Sequence, residues 1–556
     1  MMKYYIIMVA IVFVIFLYNS IVFRKRELEK LRKKIRENWG TIPQRKYTHE
    51  ELQKLVYYYQ KSIGDNFTID DITWNDLDMD SIFMMINNTC SSVGEECLYK
   101  ELRIPKFDED KLLSDEELYT YFGENKEESF KLQEIFSSLG RTNKISMYEF
   151  IDRLKDVKRQ GNLQHYIGGF LFICACALLF MKPIIGIAVF FAVLIYNIGS
   201  YYQYKAEIEN YFICFGYLSN MIICSQEIIK LNVNGIEEYN EILKKSVKSL
   251  EKIRKGSFLI AANGTNGSLG EIVMDYVRMI FHVDIIKFNS MLQTMIENTD
   301  SINQMFETLG KIEVAMAVAS FREALQYYAV PQFESKKGID ADEIFHPLIS
   351  KPVANSIKER KSVLITGSNA SGKSTFLKTI AINLILAQTI HTCTAKKFKA
   401  CFCKTYTSMA LKDNLFENES YFIVEIKSIK RILDAINQDI PVICFVDEVL
   451  RGTNTIERIA ASSYILKAVS ERNAICFAAT HDIELTNILE EDYSNYHFME
   501  EVKKDDVLFN YELNIGRATS RNAIKLLNVI GFDKKIVKKA EIMAEEFISD
   551  GVWKLN

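Results

Sequence analysis

GSNASGKST, residues 367–375, is the stretch on which the reading of the fold turns. It follows the apolar run Val363-Leu-Ile-Thr and precedes Phe376-Leu-Lys-Thr-Ile-Ala-Ile-Asn-Leu, which suits a helix. A glycine-rich turn between a strand and a helix is the setting of a phosphate-binding P-loop. Gly367 and Gly372 let the backbone curl so that its N–H groups face phosphates at a helix N-terminus. The nucleotide-binding residues are then Gly367, Ser368, Asn369, Ala370, Ser371, Gly372, Lys373, Ser374 and Thr375. Lys373 reaches the terminal phosphates, and Ser374 is a candidate ligand for Mg²⁺.

Further along, Pro441-Val-Ile-Cys-Phe-Val ends in Asp447-Glu448, and Ala474-Ile-Cys-Phe-Ala-Ala ends in Thr480-His481. Short apolar runs bounded by polar residues read as buried strands alternating with helices. In such sheets the chemistry gathers at the carboxyl ends of strands. Two acids at a strand tip are costly without a cation, so Asp447 is assigned to the metal and Glu448 to the attacking water as general base. His481 stands where an imidazole can bond the γ-phosphate or that water. Together these features predict an α/β P-loop NTPase domain with ATP as ligand, Mg²⁺ as cofactor and hydrolysis to ADP and phosphate as its reaction.

The rest of the chain reads differently. Residues 40–165 and 201–333 carry apolar residues at helical spacing, among them Ile82, Met85 and Ile86, and predict a mainly α-helical lever region. Ser114-Asp-Glu-Glu and Ser146-Met-Tyr-Glu both fit the Ser-x-x-Glu box that starts helices. Tyr4 to Phe23 carries no charge and, at about 20 residues, is long enough to cross a bilayer. A cleaved signal peptide fits less well, because the apolar run is long and no small-residue cleavage site follows. The basic stretch Arg24 to Arg36 marks the cytoplasmic side, or a helix lying on anionic headgroups.

A second apolar stretch, Tyr166 to Gly199, is interrupted at Met181-Lys182-Pro183. It reads as one long helix, a hairpin of two crossings, or a core segment. The hairpin is favoured because it returns the chain to the side that holds ATP, which predicts a multi-pass membrane protein with its ATPase domain in the cytoplasm. The expected domains are an N-terminal transmembrane helix at 1–23, a basic and helical region at 24–160, the hairpin at 161–200, a helical lever at 201–335, and the ATPase domain at 336–556.

Composition narrows the remaining choices. With 556 residues, 48% of them hydrophobic, the chain can bury two or three cores. A formal net charge of −4 gives no global attraction for nucleic acid, so a DNA-binding surface would have to be local, as at Lys244 to Lys255. The 11 cysteines are scattered and read as reduced thiols. His391, Cys393, Cys401 and Cys403 match no common zinc spacing.

Taken in order, GSNASGKST, DNLFENESYFIVE, DEVLRGTNT and ATHDIEL resemble the ATPase domain of the MutS family, a P-loop fold of ABC-like type. The family's loop reads Gly-Pro-Asn-Met-Gly-Gly-Lys-Ser-Thr, so Ser368, Ala370 and Ser371 depart from it. The resemblance implies a homodimer with two composite ATP sites. Asp413 to Glu425 matches a segment presented across that dimer, with Ser420 approaching the partner's nucleotide and Tyr421 where a Thr is usual. It also implies that Arg451-Gly452-Thr453 couples the two sites, that His346-Pro347 lies near the adenine, and that the C-terminal helices support dimerisation.

Ser81 to Pro105 is similar to the opening of the family's lever domain. The roughly 80 residues before it leave no room for the family's mismatch-reading domain, and the hairpin interrupts the lever where repair proteins carry their DNA clamp. The leading expectation is a membrane-anchored, dimeric MutS-like ATPase. Retained DNA binding is the second reading, with mismatch recognition disfavoured. The others are an ABC-class transporter, for which no Leu-Ser-Gly-Gly-Gln signature is present, and a nucleotide-gated scaffold.

Overall fold

A break at one lysine shapes the first part of the molecule. Lys182 adopts φ −141°, ψ 84°, which ends helix α1 (Leu163–Met181), and Pro183 then opens helix α2 (Pro183–Leu231) at a position where its missing N–H costs nothing. In this computed structural model, which describes residues 18–19, 22–23, 25–142, 145–154, 161–254, 269–368, 371–409, 421–437, 439–502, 507–518, 524, 527, 531–550 and 553, the chain divides into two units. The first comprises Met1–Ser62, Asn87–Lys100 and Glu117–Phe321; the second comprises Ile63–Ile86, Glu101–Glu116 and Arg322–Asn556.

The first unit is helical among the described residues. The backbone of the apolar stretch folds as a helical hairpin, α1 packed against α2. The two helices approach so closely that a Cβ on Gly186 would fall 2.7 Å from the Cα of Leu179. α2 does not stop near residue 200 but continues to Leu231, a length of 49 residues or about 73 Å. Leu163–Met181 and Pro183–Ala206 are both long and apolar enough to cross a membrane. Their apolar side chains point outward, with Phe170 65%, Phe180 91%, Ile184 88% and Ile195 69% exposed.

Polar groups are packed inside instead. Asn197 donates to the carbonyls of Gly168 and Ile280, both at 3.1 Å, and His165 Nδ1 lies 2.8 Å from His282 Nδ1. His282 and its neighbours belong to or follow helix α3 (Leu269–Phe281), which packs against the hairpin. The anchor expected at Tyr4 to Phe23 lies outside the described residues except for 18–19 and 22–23. The basic stretch behind it is helical from residue 25 to 38, and two of its cations are satisfied within the unit: Arg32 pairs with Glu134 and Arg36 with Glu127.

One of the two expected helix starts fails. Ser146 caps Met147–Arg153, accepting from the Glu149 N–H at 3.1 Å. Ser114 instead lies inside the helix Glu109–Glu124, because Asp108 already supplies the side-chain acceptor at the true start. A Ser-x-x-Glu string caps only when the preceding residues leave the helix free to begin there.

The second unit contains ten strands among the described residues: β1 (Gln332–Phe333), β2 (Ile339–Ile344), β3 (Asn355–Glu359), β4 (Ser362–Thr366), β5 (Lys397–Ala400), β6 (Lys404–Ser408), β7 (Val442–Asp447), β8 (Ala474–Ala479), β9 (Tyr493–Val502) and β10 (Val507–Ile515). Six form a sheet in the order β10-β9-β4-β8-β7-β6, parallel except for β10. A smaller sheet runs β1-β5-β2-β3. Every residue of β4, β7 and β8 is buried, as expected of a parallel sheet covered on both faces. Helices α4 (Lys373–Thr389), α5 (Tyr421–Ala435) and α6 (Thr455–Ser470) follow β4, β6 and the β7 tip. Cys393, Cys401 and Cys403 are buried thiols, and His391 bonds Glu116 at 3.0 Å.

Candidate active site

Sheet register brings three chain exits to one rim. Ile365 pairs with Ala479, and Asp447 pairs with the same Ala479 from the other side, so β4, β7 and β8 end together. From β4 the chain enters the glycine-rich loop, from β7 it enters Glu448, and from β8 it reaches Thr480 and His481. Gly367 adopts φ +146°, and a Cβ there would sit 2.9 Å from the Phe498 carbonyl oxygen, so only glycine fits. α4 then begins at Lys373 and turns its N-terminal N–H groups to the rim.

The catalytic candidates meet here. Lys373 Nζ donates to the carbonyls of Gly367 at 2.7 Å and Ser368 at 2.8 Å, and lies 3.5 Å from His481 Nε2. His481 Nε2 lies 2.8 Å from Glu448 Oε1. Arg451 Nε lies 2.6 Å from Glu448 Oε2, while its Nη2 is 3.8 Å from Asp447 Oδ2. The hydrogen bond from His481, with the charges of Arg451 and Lys373, holds the Glu448 carboxyl below the usual range despite its partial burial.

A pocket of about 640 Å³ opens on this rim, a volume suited to a nucleotide. Its polar wall includes Ser368, Ser371, Gly372, Lys373, Ser374, Thr375, Asp447 and Glu448. Its lining also includes the apolar Ile349, Pro352, Val353 and Phe498, and His346. His346 is buried and accepts from the Leu348 N–H at 3.3 Å; burial first, and then Lys378, pull its imidazole down to about 4, so it is neutral at pH 7. Asn369, Ala370 and Ser420 lie outside the described residues.

Ser374 and Asp447 together offer a hydroxyl and a carboxylate, hard oxygen donors of the kind Mg²⁺ takes. Among the described residues, the cation paired with the Asp447 carboxylate at the end of the apolar strand β7 is Arg451, at 3.8 Å, beyond hydrogen-bond range. The donor set therefore fits the ion.

Three features were not legible as motifs. Tyr511 and the stretch Lys351-Pro352-Val353 line the pocket although they are remote from the loop in sequence. Arg458 makes a two-pronged pair with Asp482, at 2.8 and 2.6 Å, which steadies the turn just after His481. Glu425, the end of the segment expected to reach a partner, is buried and accepts from the Arg451 N–H at 3.2 Å. No local pattern announces these contacts, because each joins separate elements.

Residues 363–548 match the family model of MutS domain V. The DNA mismatch repair protein MutS of Leptospira interrogans serovar copenhageni is 27% identical over 334 residues, covering 56% of this chain and 39% of that protein. The DNA mismatch repair protein MutS of Clostridium botulinum strain Okra is 24% identical over 341 residues, covering 58% of this chain and 35% of that protein. The chain thus spans about two fifths or less of the length of these relatives.

Proposed function

We propose, from the premise that this chain is a MutS-family member carrying domain V at residues 363–548, that it is a membrane-anchored ATPase working as a homodimer. The observation that carries the reading is the meeting of Lys373, Asp447, Glu448 and His481 at one rim of a nucleotide-sized pocket. Lys373 and the N-terminus of α4 bind the phosphates of ATP. Asp447 and Ser374 hold Mg²⁺, which when bound neutralises charge on the phosphates. Glu448 accepts the proton of the attacking water, and His481, bonded to Glu448, orients it. His346 and its apolar neighbours take the base.

Membrane anchoring is supported by the outward apolar faces and the length of Leu163–Met181 and Pro183–Ala206. Composite sites, with Ser420 reaching a partner's nucleotide, complete the reading. A DNA-handling role is the second reading, favoured by the relatives' mismatch-repair names. Against it, Lys244 in the candidate basic run is paired with Glu241 at 2.6 Å, and Lys255 lies outside the described residues.

The test is phosphate release by the detergent-solubilised full chain beside Glu448→Gln, with no DNA, homoduplex or mismatched duplex. Glu448-dependent turnover supports the ATPase. Stimulation by duplex adds DNA to its partners, and nucleotide binding without turnover in the wild type leaves a nucleotide-gated scaffold.

A further inference from the structure

Both oxygens of the proposed general base are already engaged. Glu448 Oε1 faces His481 Nε2 at 2.8 Å and Oε2 faces Arg451 Nε at 2.6 Å. The same guanidinium leans on the neighbouring acid, with Nη2 at 3.3 Å from the Asp447 carbonyl and 3.8 Å from its carboxylate. Arg451 lines the nucleotide pocket itself, so its charge stands beside the two carboxylates that a metal ion and a water must use.

The loop that carries Arg451 is held in an unusual shape. Glu448 and Leu450 have φ of +60° and +59°, a left-handed conformation that side chains rarely adopt. Such backbone persists only where its surroundings over-determine it. Here the Glu448 N–H donates to the Ala479 carbonyl at 3.0 Å, the Arg451 N–H donates to Glu425 at 3.2 Å, and Ser462 Oγ donates to the Val449 carbonyl at 3.2 Å. Among the described residues no hydrogen bond reaches the second oxygen of Glu425, Oε2, although it is buried.

We infer that Arg451 is a latch on the acidic strand tip: bonded to Glu448 and leaning on Asp447, it stays in place when nucleotide first binds and must swing away before Glu448 can act on a water. Arg451 is thus a positioning residue that sets the resting rate through Glu448, without itself touching the reacting atoms. A guanidinium suits the task because its planar fork can span two carboxylates. The alternative, an arginine that only aims Glu448, is disfavoured because the same guanidinium also leans on the Asp447 carbonyl and carboxylate, which aiming Glu448 alone would not require.

This inference rests on the proposed ATPase activity, and the experiment separates the two. Turnover by the full chain is compared for wild type, Arg451→Ala, Arg451→Lys and Glu448→Gln. In parallel, binding of a fluorescent non-hydrolysable ATP analogue is titrated with Mg²⁺. Arg451→Ala should raise kcat about fivefold with KM little changed, and should lower the Mg²⁺ concentration for half-maximal binding about threefold, effects of the size expected for one partly exposed ion pair. Arg451→Lys, which keeps a cation but loses the fork, should fall between wild type and alanine. A drop in kcat on Arg451→Ala, or an unmoved Mg²⁺ midpoint, overturns the latch while Glu448-dependent wild-type turnover leaves the ATPase standing. Wild-type turnover indifferent to Glu448→Gln removes the ATPase reading, and the latch with it.

Discussion

The core strands of the second unit and the hairpin of the first are built from the same kinds of residue and treat them in opposite ways. In β4, β7 and β8 every side chain is buried, and the polar residues that follow are concentrated at one rim around a pocket. In α1 and the first part of α2, Pro183–Ala206, most apolar side chains face outward while Asn197 and His165, at 0% and 2% exposure, are packed inside. A sheet between helices hides apolar surface from water and places its chemistry at its edge. A hairpin with its apolar side chains outward is favoured in an apolar surrounding, the setting proposed for it above. Hydrophobicity alone therefore does not say which side of a segment is the core.

The comparison can be broken most sharply at the rim. Lys373→Ala and Glu448→Gln should each lower phosphate release at least about 100-fold, since each removes a group proposed to act directly on the phosphates or water. Comparable rates in either variant would separate the polar rim from catalysis. The hairpin offers the next largest effect. Ile173→Asp and Ile195→Asp, at exposed positions near the centres of the apolar spans Leu163–Met181 and Pro183–Ala206, should each cost about 2.5–3.5 kcal/mol of bilayer insertion, read as lost flotation with liposomes. If water covers these faces, both substitutions should be nearly silent, and the contrast between the two regions disappears.

A largely buried charge cluster sharpens the comparison from the other side, because in it the interior charges are paired. Glu116 is bound by Arg322 at 2.6 Å and by His391 at 3.0 Å. Burial alone would raise its carboxyl, but these two partners more than offset that and hold it at about 2. Because the folded value lies below the unfolded one, the pair stabilises above about pH 4.5, and that stability is lost as pH falls toward about 2. The loss should amount to about 3 kcal/mol, seen as a falling urea midpoint. Glu116→Gln should be less stable at pH 6 and should lose the slope in that window.

The smallest effect is expected at a cap. Asn454, which ends the loop after Glu448, accepts from the Glu457 N–H at 3.0 Å and starts α6. Asn454→Ala should cost about 1 kcal/mol of thermal stability. A larger fall in kcat than in stability would show that this cap also holds the loop carrying Arg451.

Much of the site was legible because its signals are local. Gly367, Lys373 and Ser374 are read from one contiguous turn, and Asp447, Glu448 and His481 from apolar runs that end at polar residues. The helix start at Ser146 was readable for the same reason, while Ser114 shows the limit: a capping string is silent when Asp108 upstream has already begun the helix. The extent of α2 was missed because the change in composition near residue 200 is a change of environment along one helix and not an interruption of its hydrogen bonds.

By itself the sequence determined the P-loop, the strand-tip acids, the helical character of the first unit and the two apolar runs separated by Lys182-Pro183. These depend on near neighbours: backbone freedom at glycine, the missing N–H of proline, and the period of apolar residues. Only the tertiary structure decided that Asp447 and Ala479 stand in register, that Tyr511 walls the pocket, that Arg451 closes on Glu448, and that the hairpin buries its polar groups. Those outcomes depend on which distant segments meet and on which face each element turns to its neighbours. Sheet register and packing set both, and neither is encoded in any single stretch of residues.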